Sequence, residues 1–88
     1  MSSGSISVVI PAFNVESSIQ KSIYSALSQN INSIEIIVIN DASTDRTVEK
    51  IKEIYSKDSR VRLINLEKNS GPAEARNRGI QAAAGAWI

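Results

Sequence analysis

The sequence predicts an α/β domain with a mostly parallel sheet and helices on both faces. Short β-branched runs alternate with stretches that have apolar residues at helical spacing, in the order β-α-β-α-β-α-β. Residues that favour helix caps and turns stand between these runs. The 88-residue chain is 42% hydrophobic and 22% charged, which is ordinary for a small globular domain.

The first strand is predicted over Ile6–Ile10, a run typical of a central strand buried on both faces. A helix follows from about Val15 to Gln29, and Asn14 is placed to be its N-cap. The helix is indicated by a stripe of apolar residues at every fourth position: Ile19, Ile23 and Leu27.

The second strand is predicted over Ile34–Ile39, and the polar segment "DASTDRT" follows it. Ser43 or Thr44 is expected to cap the second helix, with Asp45 in its first turn, where the helix dipole favours a negative charge. The inner face of this helix is predicted to carry Val48, Ile51, Ile54 and Tyr55.

The third strand is predicted over Val61–Leu66. Gly71 and Pro72 then open a third helix with Glu74 near its start, since proline suits the first helical position. Gly85 is expected to end that helix before "AWI" begins a fourth strand. The third helix is continued by Ala75, Ile80, Ala83 and Ala84.

The predicted strand order is 3-2-1-4, because the third crossover must return past strand one to place "AWI" on its other side. Right-handed crossovers then put the first two helices on one face and the third on the other. Residues 1–5 are interpreted as a disordered leader or an expression remnant, and residues 6–88 as one truncated α/β domain. Since strand four is just starting at Ile88, we expect a fragment of a longer protein.

Composition and missing motifs exclude several classes of function. A net charge of +1 argues against a large nucleic-acid surface, and the absence of cysteine excludes disulfides and thiolate metal sites. The chain has no histidine, the usual acid–base residue near neutral pH. It contains neither the G-x-G-x-x-G fingerprint of dinucleotide-binding domains nor the P-loop motif of nucleotide-binding domains. No paired acids follow the first strand, as a receiver-type phosphorylation domain would require.

Unusual polar and aromatic residues follow all three long strands, where an open parallel sheet binds ligands. Phe13 is placed to stack a base, Asp41 to accept a base N–H, and Arg76 to bind phosphate. This arrangement predicts a nucleotide site. The other residues at the same rim are Pro11, Ala12, Asn14, Glu16, Asn40, Ser43, Glu67, Lys68, Asn69 and Ser70.

Each candidate also has a purely structural interpretation. Phe13 could cap the core as a hydrophobic staple, and Asp41 could form a turn after its strand. Glu16 could complement the helix dipole, and Arg76 could be a solvated surface arginine. Asn14 fits a helix cap better than a ligand contact, and Asn69 and Ser70 could serve turn geometry alone.

Three segments together resemble the N-terminal half of the catalytic domain of family 2 glycosyltransferases. They are "SVVIPAFNVESSIQKSIYSALSQ", "EIIVINDASTDRTVEKI" and "LEKNSGPAEARNRGIQAAAGAWI". The resemblance covers about Ile6 to Ile88 and implies the Rossmann-like half of a GT-A fold. It also implies transfer of a sugar from a nucleotide-diphosphate sugar, often UDP-linked, to a glycan, lipid or other acceptor.

The resemblance assigns roles to seven residues of this sequence. Phe13 stands where the family usually has tyrosine, which keeps a stacking face but loses a hydroxyl. Asp41 matches the carboxylate that reads the base edge, and Asn69 and Arg76 match the amide and guanidinium that reach the base and diphosphate. Glu16 matches an acidic position near the nucleoside. The base-holding loop is matched by Pro11, Ala12 and Phe13.

The resemblance also implies what these residues lack. The family's acidic metal-binding motif and its general base lie beyond the segment that matches this chain. A divalent cation, Mn or Mg, is therefore expected for the parent enzyme but not for residues 6–88, which should bind nucleotide without transferring sugar. The alternative is a free-standing, non-catalytic nucleotide-binding or interaction module with the same half-fold.

Expected partners are a nucleotide-diphosphate sugar and, for the fragment, a second copy of itself; no nucleic-acid partner is expected. The expected location is cytoplasmic, with attachment of the parent to the cytoplasmic membrane face left open.

Overall fold

The computed structural model describes residues 5–29, 33–83 and 86–87. The strands and helices alternate along the chain as predicted. They are β1 (Ser5–Ala12), α1 (Ile19–Leu27), β2 (Ser33–Asn40), α2 (Thr47–Tyr55), β3 (Val61–Asn65), α3 (Pro72–Ala82) and β4 (Ala86–Trp87).

The four described strands form one parallel sheet in the order β3-β2-β1-β4, which confirms the predicted topology. β1 is central and pairs with β2 along its whole length, from Ser5 opposite Ser33 to Ala12 opposite Asn40. The carboxyl ends of the three long strands therefore meet at one edge of the sheet.

The helices cover both faces of this sheet, as predicted. α1 and α2 pack on one face around a cluster that includes Ile23 and Ile51, both fully buried. α3 packs on the opposite face, where Ala75 joins Val9 and Ile39. Since α1 and α3 leave the sheet on opposite faces, a crevice opens between their connecting loops at the carboxyl edge.

α3 approaches the sheet unusually closely at Gly79. A Cβ atom placed on this buried glycine would lie 2.3 Å from Val9 Cγ1 and 2.6 Å from Ile39 Cδ1. The missing side chain thus lets the helix backbone rest directly on β1 and β2.

Two helix starts differ from the sequence-based expectations. α1 begins at Ile19 rather than near Val15, and Asn14 does not cap it. α2 begins at Thr47 after Arg46, so neither Ser43 nor Thr44 is its cap and Asp45 precedes its first turn. The physical reason is that the side chains of Asn14, Ser43 and Thr44 bond to the opposite loop and not to their own helices.

Smaller differences occur at the helix ends. Tyr55, predicted on the inner face of α2, is 39% exposed because it lies in the last position of the helix. α3 ends at Ala82, and Ala83, predicted to be helical, is extended. The predicted roles of Ala84, Gly85 and Ile88 lie outside the described residues. None of the helices in the described ranges is long and apolar enough to cross a membrane.

The α3 face of the sheet becomes polar towards the amino ends of the strands. Ser7 is fully buried, and its hydroxyl donates to Glu35 Oε2 over 2.8 Å. Arg62 binds the other Glu35 oxygen at 2.9 Å and the Ala82 carbonyl at 3.1 Å. β1 is therefore not uniformly apolar on both faces, and this row of polar residues joins three strands to the end of α3.

Candidate functional site

A cleft of about 300 Å³ lies at the carboxyl edge of the sheet, in the crevice between the loops after β1 and β3. Its walls come from the end of β1, from the loops that follow the three long strands and from the start of α3. Five of the seven predicted site residues line it. The full lining is Pro11, Ala12, Phe13, Asp41, Asn69, Gly71 and Pro72.

Asp41 is 3% exposed, and its carboxylate holds the loop that leads into α3. One oxygen accepts the Ser70 N–H over 2.7 Å, and the other accepts the Gly71 N–H over 2.9 Å. A carboxylate has about four lone-pair sites, so two bonds leave it able to accept a further N–H from the cleft. Asp41 is thus a structural clamp that also lines the cleft.

Asp41 does not form the local turn that was the alternative interpretation. That role belongs to its neighbour Asn40, whose Oδ1 accepts the Ser43 N–H over 3.1 Å. Ala42, which precedes Ser43 in this turn, adopts a left-handed φ of 61°, which is uncommon for a residue other than glycine. The turn geometry is therefore set by Asn40, which leaves the Asp41 side chain to cross to the other loop.

Phe13 is 46% exposed and lines the cleft. This exposure contradicts the interpretation of Phe13 as a hydrophobic staple that caps the core. An exposed aromatic face beside a buried carboxylate is the combination that stacks a planar ring and bonds its edge.

The remaining predicted residues are less closely gathered. Asn69 lines the cleft and its amide donates to the Asp41 carbonyl over a long 3.4 Å. Arg76 is exposed on α3 and does not line the cleft. Glu16 is half-buried outside the cleft, where its Oε1 accepts the Arg46 N–H over 3.4 Å.

The loop after β1 and the loop after β2 are joined by hydrogen bonds in both directions. The N–H groups of Asn14, Val15 and Glu16 donate to side chains of the second loop, over 3.0, 2.9 and 3.2 Å respectively. In return, Asn14 Oδ1 accepts an N–H over 2.8 Å and a hydroxyl over 3.3 Å. We call these bonds, together with the bond from the Arg46 N–H to Glu16, the inter-loop network. Its partners after β2 are Ser43, Thr44, Asp45 and Arg46 in the loop and Thr47 at the start of α2.

Within this network the pKa of the Asp45 carboxyl is lowered from its ordinary value. Burial raises this pKa, but hydrogen bonds from the Thr47 hydroxyl and N–H, from the Glu16 N–H and from its own N–H together outweigh burial. The charged form of Asp45 is therefore the form that holds the two loops together.

This shift predicts a specific acid sensitivity. Because the folded pKa lies below the unfolded one, ionised Asp45 stabilises the fold above about pH 4, and the contribution is lost as the pH falls through the folded pKa. Between about pH 6 and about pH 3, the urea midpoint should fall further for wild type than for Asp45→Asn. Glu49→Gln, which removes an exposed carboxylate of α2, should behave like wild type. An equal fall of the urea midpoint in wild type and in Asp45→Asn would contradict the stabilising role of ionised Asp45.

A second cleft, of about 350 Å³, lies at the carboxyl end of β3. Its lining includes Lys68 and Arg78, both exposed, together with Glu67. It meets the first cleft along the 68–71 segment, so one loop forms a wall of both.

The described residues do not fit a divalent cation site. No group of three His, Cys, Asp or Glu side chains comes together in the described ranges. Asp41 is the single acid among the residues that line the first cleft.

The model of Glycosyl transferase family 2 matches residues 7–88, nearly the whole chain. The chain belongs to glycosyltransferase family 2. Within this family it is 43% identical, over 83 residues, to an uncharacterized glycosyltransferase of Haemophilus influenzae. It is also 43% identical over 83 residues to the succinoglycan biosynthesis protein ExoO of Rhizobium meliloti. Both matches cover 94% of this chain but only 33% and 23% of those family members, so the chain spans a third of their length or less.

Solved glycosyltransferase structures share the fold. Residues 1–349 of S. aureus TarS, in complex with UDP-GlcNAc, superpose with a TM-score of 0.82 at 33% identity, over 92% of this chain and 24% of the TarS 1–349 chain. A mannosyltransferase of Pyrobaculum calidifontis, in complex with GDP-Man and Mn²⁺, gives a TM-score of 0.83 at 23% identity, over 91% of this chain and 24% of its own. These neighbours confirm the predicted GT-A fold for the part of it that this chain spans.

Sequence reasoning missed the inter-loop network and the clamp made by Asp41. Both join residues about 30 positions apart, and neither leaves a local spacing that a cap or turn rule detects. One available signal was the length of "NDASTDRT", which holds more small polar residues than one helix cap requires.

Proposed function

We propose that this chain binds the nucleotide of a nucleotide-diphosphate sugar, most naturally a UDP-sugar, as part of a glycosyltransferase. The observation that carries the proposal is the pairing of Phe13 and Asp41 across one cleft, at the carboxyl edge of a parallel sheet. Family membership and the UDP-GlcNAc complex of TarS support the same assignment.

The base is proposed to lie on the Phe13 ring with its edge towards Asp41. Uracil carries an imino N–H at N3, which suits the carboxylate because an ionised acid can only accept. The segment Pro11–Ala12 forms the floor beside the ring, and Asn69 offers an amide near the same edge. The site is therefore built for a planar ring that donates one N–H.

The diphosphate is proposed to extend towards Arg76 on α3. Arginine binds phosphate oxygens with two parallel N–H groups, and an exposed side chain can turn towards a ligand without breaking an ion pair. Among the described residues Arg76 forms no salt bridge. Glu16 is proposed to act from the inter-loop network, near the nucleoside.

In the proposed transfer, an acceptor hydroxyl oxygen bonds to the anomeric carbon of the donor sugar. The bond from that carbon to the diphosphate breaks, and the hydroxyl proton passes to a carboxylate base. This chain's part in that reaction is to hold the leaving nucleotide. The base, the Mn or Mg ion and the acceptor site (for a glycan, lipid or other acceptor) are proposed to belong to other parts of a longer enzyme, as the resemblance implies.

The test compares UDP with CDP, which carry the same diphosphate. Cytosine N3 is an acceptor and would face the Asp41 carboxylate, whereas uracil N3–H donates to it. A hydrogen bond to a charged group contributes about 1.5–3 kcal/mol, so UDP should bind about 10- to 100-fold more tightly than CDP by calorimetry. Equal affinities, or a preference for CDP, would refute the proposed base contact.

A second test concerns the proposal that this chain binds the nucleotide while the metal ion and the base belong to other parts of the enzyme. The 88-residue chain should bind UDP weakly, with little gain from Mn²⁺, and should transfer no sugar from a UDP-sugar. A large increase in affinity with Mn²⁺, or measurable transfer by the purified chain, would refute the proposal that the metal and base groups lie elsewhere.

Self-association of this chain stays a prediction, as does the cytoplasmic location. β4 is the outer strand of the described sheet and pairs with β1 through two residues. The backbone N–H and C=O groups at the outer edge of a sheet can pair with a strand of a second copy. Sedimentation at micromolar concentration tests it: we expect a dimer, and a stable monomer would contradict the prediction.

A further inference from the structure

The position of Phe13 in the cleft is not fixed by packing. The residue is 46% exposed, and α1 begins six positions later at Ile19. The next residue, Asn14, is also exposed and has a φ of 52°, in the left-handed region that asparagine tolerates better than most residues. A ring carried on such a segment needs anchors from elsewhere if it is to present one face to a ligand.

Those anchors are the bonds of the inter-loop network. Three consecutive N–H groups after Phe13, those of residues 14–16, donate to side chains of residues 43, 47 and 45. Asn14 returns two contacts through a single oxygen, which accepts both the N–H and the hydroxyl of Thr44. The bonds run both ways, so the segment that carries Phe13 is registered against the segment that follows Asp41.

This registration links the two walls of the proposed base site. Phe13 immediately precedes Asn14, and Asp41 lies three residues before Thr44. A backbone bond ties the bases of both loops, because the Asp41 N–H donates to the Ala12 carbonyl over 2.8 Å. The Asn14–Thr44 contact then fixes the outer part of the same loop pair. The distance between the stacking face and the carboxylate is therefore set by the network, independently of the ligand.

We propose that Asn14 is a positioning residue for the nucleobase, acting through Phe13. It does not line the cleft; its side chain locks the loop so that the Phe13 ring is held at stacking distance from a base bonded to Asp41. This inference rests on the proposed function and deepens it. It also explains why a residue resembling a helix cap lies directly beside the aromatic residue while the helix starts elsewhere.

The test is a double-mutant cycle with UDP. Asn14→Gly keeps the left-handed backbone available and removes the acceptor of the Thr44 bonds, whereas Asn14→Asp keeps the acceptor and is the matched control. Base–aromatic stacking contributes about tenfold or more to affinity, so Phe13→Ala should weaken UDP binding by roughly that factor. Asn14→Gly should weaken it about three- to tenfold in the wild-type background and less than about twofold in the Phe13→Ala background. Asn14→Asp should stay within about twofold of wild type.

The result that overturns the proposal is an Asn14→Gly effect of the same size in both backgrounds, or no effect in wild type. A measurement without nucleotide separates this proposal from the proposed function. Three-bond couplings should report one χ1 rotamer of Phe13 in wild type and Asn14→Asp, and rotamer averaging in Asn14→Gly. If the couplings change as expected and UDP does not bind, the proposed function fails, and what stands is that Asn14 fixes the Phe13 ring. If UDP binds and the Phe13 couplings are alike in all three proteins, the positioning role fails.

Discussion

Replacing Asp41 by asparagine is expected to abolish measurable UDP binding and to lower the free energy of unfolding by about 2–4 kcal/mol. The carboxylate accepts the N–H groups of Ser70 and Gly71, and it is 3% exposed. Asparagine keeps one acceptor oxygen and turns an NH₂ group towards the other N–H. One charge-assisted bond is replaced by two opposed donors, and the remaining bond loses its charge.

The same change removes the acceptor for the base. The imino N–H of uracil would then meet either an amide NH₂ or an uncharged oxygen already engaged by the loop. Binding should be compared under conditions in which circular dichroism shows the variant to be folded, so that a lost contact is distinguished from lost structure.

A matched control is Asp58→Asn, which makes the same chemical change in an exposed ion pair. Asp58 binds Arg60 at 2.8 Å, and the Arg60 side chain is 47% exposed. Hydrogen bonds from Arg60 lower the pKa of Asp58 from its ordinary value. Exposed ion pairs of this kind contribute about 0–1 kcal/mol, so this variant should lose little stability and bind UDP normally. Similar urea-unfolding losses at the two positions would contradict the clamp role of Asp41.

The second large effect is expected from Gly79→Ala in α3, which should destabilise the fold by about 1–3 kcal/mol. On helix propensity alone, alanine would gain about 1 kcal/mol over glycine. The added Cβ, however, would lie 2.3 Å from Val9 Cγ1 and 2.6 Å from Ile39 Cδ1. Valine is stiff at χ1, and both neighbours are buried, so they cannot swing away without opening the core. The steric cost therefore exceeds the propensity gain.

Asn77→Ala is the control for Gly79→Ala, because it adds an alanine to the exposed side of the same helix. It should be neutral or slightly stabilising, by up to about 0.5 kcal/mol. In thermal or urea unfolding, Gly79→Ala should lower the free energy of unfolding, whereas Asn77→Ala should leave it unchanged or raise it slightly. A stabilising Gly79→Ala would show that α3 can move away from the sheet at little cost.

The features predicted correctly from the sequence are those that local patterns determine. The β-branched runs at Ile6–Ile10 and Ile34–Ile39 are typical of buried parallel strands, and the alternation with helices and the handedness of the crossovers then favour the strand order. Gly71 and Pro72 opened α3 as expected, since their backbone preferences are intrinsic. The rim of the site follows from the topology, because the ends of adjacent parallel strands must meet.

What could not be predicted depends on bonds between distant segments. Asparagine is a common helix N-cap, but the Asn14 side chain accepts the N–H of Thr44 in the opposite loop and does not cap its own helix. Thr47 is fully buried because its hydroxyl serves the other loop at the Val15 N–H. No sequence spacing near Asp41 indicates that its two oxygens are engaged by Ser70 and Gly71, about 30 residues away.

The central claim is that the cleft between Phe13 and Asp41 is the nucleotide site. An NMR titration of the ¹⁵N-labelled chain with UDP tests it most directly, because each wall of the cleft has a backbone N–H to report. Saturable shift changes should concentrate at Ala12–Phe13, at Asp41 and at Asn69–Gly71, while amides near the amino ends of the strands stay unchanged. Shifts concentrated instead at Lys68 and Arg78 in the second cleft, or at the amino ends of the strands, would contradict the account.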